Sequence, residues 1–122
     1  MTEAGLKVSL NEQVFLDFRG GRTVRVTPNM FQALSRLRPA LIDVARRRDT
    51  ITYGEASLAT QNAYLPRGMG PMLDVVTIDC TRRGEPSLAS LVVTKSGGEV
   101  GSAYGAGAVE ERRRCYHHWA KP

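Results

Sequence analysis

Near the start of the chain, apolar and polar residues alternate twice. Val14-Phe15-Leu16-Asp17-Phe18 and Thr23-Val24-Arg25-Val26-Thr27 flank Arg19-Gly20-Gly21-Arg22. Alternation on both sides of a Gly-Gly tip predicts a β-hairpin. Phe15 and Leu16 are adjacent apolar residues, so the pattern leaves open which face is buried. The period then lengthens. Met30, Phe31, Leu34 and Leu37 fall on one helical stripe, with Thr27 placed as N-cap and Pro28 in the first turn. Pro39 is expected to break or kink this helix, and the stripe resumes at Leu41, Val44 and Ala45. Arg46-Arg47-Arg48 closes it, where cations favour the helix dipole. The triplet reads either as a solvated helix end or as a phosphate-facing cluster.

The middle of the chain predicts a helix-turn-helix. Ile51 ends a short extended segment, and Thr52-Tyr53-Gly54-Glu55 has the pattern of a capping box. A short helix follows through Ala56, Leu58 and Ala59, and Thr60–Tyr64 forms the turn. Pro66 is placed to begin a second helix, or Arg67–Gly70 serves as its entry turn and the helix starts at Pro71. Met69, Met72, Leu73, Val76 and Cys80 form one buried stripe, with Arg67, Asp74, Arg82 and Arg83 directed elsewhere. Arg83-Gly84-Glu85-Pro86 stops the helix. Leu88–Thr94 reads as a strand, Lys95-Ser96-Gly97-Gly98 as a tight turn and Glu99–Tyr104 as a weaker returning strand. Gly105–Gly107 is a joint, and Val109–Trp119 is a terminal helix or a last strand. The fold class is therefore α+β. It is read as a winged helix (helix-turn-helix plus β-hairpin) with an N-terminal β-hairpin and a C-terminal helix or strand. The 122 residues suit one domain, with the winged-helix-like core at about 28–104.

Composition narrows the function. The chain is 42% hydrophobic and carries a formal net charge of +5, which fits a folded protein with an anionic partner. Fourteen of its 17 basic residues are arginine. That bias suits bidentate phosphate contacts, and it equally suits a GC-rich coding sequence. The N-terminus lacks a basic segment followed by an apolar one, and no apolar run is long enough to span a bilayer. A cytoplasmic protein with reduced thiols at Cys80 and Cys115 is expected, without membrane association.

Tyr53-Gly54-Glu55 and Arg67-Gly68-Met69-Gly70 resemble the winged-helix domain of alkylguanine-DNA alkyltransferases and their catalytically dead alkyltransferase-like relatives. Those proteins open one helix with a Tyr-Gly-Glu/Gln motif and the recognition helix with an Arg-Ala-Val-Gly motif. Tyr53 and Arg67 match those positions with the family's spacing, Gly70 and Leu73 continue the match, and Val100-Gly101 resembles the segment beyond the reactive site. The resemblance spans roughly residues 50–104. It implies that Tyr53 contacts or rotates a backbone phosphate and that Arg67 enters the DNA in place of an extruded base. The family's reactive Pro-Cys-His-Arg is replaced by Ala89-Ser90-Leu91-Val92. An alkyl acceptor needs a thiolate made by a neighbouring base, so alkyl transfer is rejected. Pro86-Ser87-Leu88 through Lys95 is also similar to a strand pattern of small phage and bacterial proteins.

Other chemistry is sparse. Cys115, His117 and His118 give three crowded ligands that Cys80 could join, but the set lacks the recognisable spacing of a four-ligand structural zinc site, so no metal and no cofactor are expected. Cys80 lies on the apolar stripe as a core thiol. Neither Gly97-Gly98 nor Gly105-x-Gly107 forms a phosphate loop, and the carboxylates are unpaired in sequence. Two functions compete, ahead of a third, an unrecognised enzyme that would use Cys115, His117 and His118. One is a non-enzymatic nucleic-acid-binding protein, phage or mobile-element encoded, using Tyr53, Arg67, Gly70, Arg82, Arg83 and Lys95 on DNA. The other is a protein-binding module that docks on a host protein, with homodimerisation through the Leu88–Val93 edge as a related case.

Overall fold

The computed structural model describes residues 6–16, 20–94 and 107–120, together with the backbone but not the side chain of Arg67. The element order is β1 (Gln13–Leu16), β2 (Arg22–Arg25), α1 (Pro28–Arg46), β3 (Ile51–Thr52), α2 (Tyr53–Ala59), a 3-10 turn (Pro66–Gly68), α3 (Gly70–Arg83), a second 3-10 turn (Leu88–Leu91), β4 (Val92–Val93) and α4 (Ala108–His118). The protein is thus α+β, with four helices and two small sheets among the described residues.

β1 and β2 form the N-terminal antiparallel hairpin, with Val14 opposite Val24 and Phe15 opposite Thr23. Val14 and Leu16 are buried while Phe15 is 59% exposed, which settles the face that adjacent apolar residues left open. Gly20 and Gly21 turn the tip at φ +67° and +86°, a region that favours glycine.

α1 begins at Thr27, whose hydroxyl accepts the Met30 amide at 3.2 Å. Pro39 does not break it, and the helix runs 19 residues from Pro28 to Arg46. Leu34, Leu37, Leu41 and Val44 lie buried on both sides of the proline, which is itself exposed. Burying those side chains outweighs the one backbone hydrogen bond that proline removes.

α3 departs most from the sequence expectation. The spacing predicts one buried stripe. Instead Met72, Leu73, Asp74, Val75, Val76, Asp79 and Cys80 are all buried, so the helix is enclosed around most of its circumference. Asp74, expected to point away from the core, lies inside. α1, β1, the N-terminal residues from Lys7 and the second 3-10 turn surround this helix. Its end is set by Gly84 in the left-handed conformation, φ +73°.

The expected strand Leu88–Thr94 is mostly a 3-10 turn. Ser87 caps that turn by accepting the Ala89 amide at 3.3 Å, and only Val92–Val93 is extended. β4 pairs in parallel with β3, Ile51 against Val92 and Thr52 against Val93. The buried polar side chains explain the tight turn: the Ser90 hydroxyl donates to the Ser87 carbonyl at 2.9 Å, and Ser87 and Thr77 hydroxyls meet at 2.9 Å. The expected turn at Lys95–Gly98 and the returning strand Glu99–Tyr104 lie outside the described residues. The C-terminal element is a helix, docked by buried Ala108 and Cys115. No helix among the described residues is long and apolar enough to cross a membrane.

Candidate nucleic-acid interface

Three of the residues singled out from sequence lie at the start of α2, in the 3-10 turn that follows it and at the start of α3. Thr52 caps α2 with a complete capping box: its hydroxyl accepts the Glu55 amide at 3.1 Å, and the Glu55 carboxylate accepts the Thr52 amide at 2.9 Å. This fixes where α2 starts and so places Tyr53 as its first residue. Tyr53 is half-buried and packs against the hydrophobic core. α2 ends at Thr60, which is fully buried and donates its hydroxyl to the Ser57 carbonyl at 2.7 Å. Gln61 and Asn62 then reverse the chain at φ +60° and +62°. The Ser57 hydroxyl donates to the Tyr64 carbonyl at 2.5 Å, which closes the loop.

Pro66–Gly68 turns once as a 3-10 helix, with Arg67 at its centre, and α3 begins at Gly70. The N-terminus of α3 differs from that of α2. No side chain caps it, and no acidic residue lies in its first turn. Pro71 carries no N–H and the Leu73 amide donates to the Met69 carbonyl at 2.8 Å, so the start offers fewer amides than a regular helix; those that remain keep the partial positive charge that a helix N-terminus offers to an anion. Gly68 is exposed and Gly70 half-buried. Neither has a positive φ, and a Cβ built on either meets nothing within 4 Å. Nothing within the fold requires glycine at these two positions.

Arg82 and Arg83 lie at the opposite end of α3. Arg82 donates to both carboxylate oxygens of Glu12, at 3.1 and 2.7 Å, and to the Lys7 carbonyl at 2.9 Å. Arg83 donates to Asp79 at 3.1 Å, and its side chain is 12% exposed. Asp79 is a buried hub that also accepts the Lys7 amide at 2.5 Å and lies 3.7 Å from Arg38. Arg38 in turn grips Glu85 through two bonds of 3.0 and 3.1 Å and lies 5.7 Å from the Trp119 ring centre. Both arginines read from sequence as DNA contacts thus hold the fold together, although Arg82 remains partly at the surface. Lys95 lies outside the described residues. The buried hub had a signal in the sequence: Asp79 follows Met72 by seven residues and so shares its helix face.

The Arg46-Arg47-Arg48 triplet is divided. Arg47 pairs with Asp43 and Asp49, Arg46 lies 5.8 Å from the Trp119 ring centre, and Arg48 is exposed at φ +56°. Among the described residues, Arg22, Arg25, Arg36, Arg46 and Arg48 form no ion pair with another described residue. The cations without a described ion-pair partner therefore include Lys7, the hairpin arginines and those on and just after α1.

Both cysteines are buried thiols. Burial pushes Cys80 up to about 12 and Cys115 up to about 11. Cys115 donates to the Ser87 carbonyl at 3.1 Å. His117 and His118 are exposed at the end of α4, and no group of three or more potential metal ligands occurs among the described residues.

These elements define a small α+β protein with an uncapped, glycine-flanked helix start at the surface. Comparison of the chain with protein-family models, with curated proteins and with solved structures found no match.

Proposed function

We propose that this is a non-enzymatic nucleic-acid-binding protein of the winged-helix kind, and that the α2–α3 corner faces a DNA backbone. The observation that carries the reading is the pair Gly68 and Gly70 beside Arg67, at a helix start that no side chain caps. Glycines that neither conformation nor packing requires leave room for a ligand's close approach. The uncapped amides suit a phosphate oxygen. Arg67 adds a full positive charge in a planar, stacking-competent form. The order α1, short strand, α2, turn, α3 supports the helix-turn-helix part of the plan, and the resemblance of Tyr53 and Arg67 to alkyltransferase-like proteins supports the ligand. In this reading Tyr53, Arg67 and Gly70 form the contact, and Arg82 and Arg83 act first as structural ties.

Binding of a mixed-sequence duplex by the purified chain, measured across salt concentrations, tests this. The affinity falls steeply as salt rises. Absent or salt-insensitive binding contradicts it.

One observation favours a protein partner instead. Leu58 and Leu65 are 65% and 62% exposed and bracket the same turn. A host protein docked on this corner would cover them. Co-purification of one stoichiometric protein that survives nuclease treatment, and is lost in Leu58→Ser/Leu65→Ser, supports that second reading.

A further inference from the structure

The β1–β2 hairpin exposes an aromatic residue that its own fold does not use. Phe15 is 59% exposed, while its neighbours Val14 and Leu16 are fully buried. Its ring is nonetheless positioned: a Cβ at Gly21 would sit 3.6 Å from two atoms of its edge, so the ring rests against the tip. Thr23 lies opposite Phe15 and Arg25 lies opposite Gln13, which puts all four on the outward face. Arg25 is held by Asn11 at 3.1 Å, and exposed Arg22 stands beside the tip. Neither arginine pairs with a described carboxylate. In sequence the hairpin carries Arg19, Arg22 and Arg25 against the single acid Asp17.

We propose that this face is a contact for single-stranded nucleic acid. One base stacks on Phe15, while Arg25, on the same face, meets a flanking phosphate. An exposed, pre-positioned ring beside a cation without a described acidic partner is the arrangement that holds an unpaired base, because every base has a π-face and every linkage a negative charge. The charge is what selects this occupant over an apolar protein surface, which would leave the arginines desolvated and unpaired. The inference rests on the nucleic-acid reading and extends it to a second element and a second strand form.

The test uses the full chain and three labelled probes: an oligothymidylate of about 12 nucleotides, a strand of the same length with abasic sites, and a duplex. Phe15→Ala weakens the oligothymidylate by roughly 5- to 100-fold and leaves the abasic strand and duplex within about twofold. Phe15→Tyr restores binding. Arg25→Ala weakens the oligothymidylate and the abasic strand alike. Equal affinity of the native chain for thymidylate and abasic strands overturns the proposal, as does native-like oligothymidylate binding by Phe15→Ala, an outcome that leaves Phe15 for a protein partner. A native chain that binds duplex but neither single strand overturns this inference alone. One that binds none of the three overturns the α2–α3 reading as well.

Discussion

Arg82 and Glu12, 70 positions apart, meet fork to fork with separations of 3.1 and 2.7 Å. The pair fastens the N-terminal segment across the last turns of α3. Glu12 also accepts the Ser9 amide at 2.9 Å. The Arg82 guanidinium, first by its hydrogen bonds, and then the Ser9 amide hold the Glu12 carboxyl below its ordinary value. A carboxyl lowered on folding adds stability that is complete above its unfolded value and is lost as pH falls through the lower folded value. Because the Arg82 side chain is 40% exposed, solvent screens much of the effect. Glu12→Gln is expected to cost up to about 1 kcal/mol at neutral pH. Urea unfolding of both chains checks this: their difference should vanish well below the usual carboxylate range. A difference that persists in acid assigns the cost to lost packing.

The capping box sets the start of α2 and therefore the position of Tyr53. Thr52→Ala should destabilise the protein by about 1 kcal/mol. The double variant with Glu55→Ala should cost less than the sum of the two single changes, because each change breaks the same box. Additive losses in chemical denaturation would show that the two hydrogen bonds act independently.

The thiols make a separate prediction. Cys80 is fully buried with its thiol pushed up to about 12, and Cys115 is fully buried at about 11. The thiolate is the reactive species. A chromogenic disulfide reagent in mildly alkaline buffer should therefore label neither cysteine in the native chain and both in denaturant. Rapid labelling of one thiol in the native state would show that α4 or the second 3-10 turn opens readily.

Gly70 separates a ligand role from a folding role. A Cβ there meets nothing within 4 Å. Gly70→Ala should leave thermal stability unchanged or raise it by up to about 1 kcal/mol through helix propensity. If the backbone at this position approaches a phosphate, the same change weakens duplex binding. Unchanged affinity would remove Gly70 from the interface.

Much of the fold was legible because local signals and burial agreed. The Gly-Gly tip, the Thr27 cap and the Thr52–Glu55 box each have a short-range chemical cause, and each forms as expected. The misreadings share a different cause. Local chemistry gives Pro39 two outcomes, a break or a kink, and the buried leucines on either side exclude the break. α3 was read as amphipathic, yet Asp74 and Asp79 lie buried. Burying Asp79 depends on Arg38, Arg83 and the Lys7 amide, partners as far as 72 positions away that no sequence period reveals. Leu88–Val93 has strand composition, but the hydroxyls of Ser87 and Ser90 tighten its first half into a 3-10 turn. For the candidate site, the sequence supplied Tyr53, Arg67 and Gly70. It could not show that Arg82 is tied to Glu12, nor that Phe15 rather than Leu16 faces outward.

The corner between α2 and α3 is tested most directly by duplex affinity as a function of salt, for the native chain and for Arg67→Ala. The native chain should lose affinity linearly on a log–log plot. Arg67→Ala should bind more weakly by roughly 1–3 kcal/mol, with the slope reduced by about one. Identical affinities and slopes for the two chains would contradict a DNA-facing Arg67.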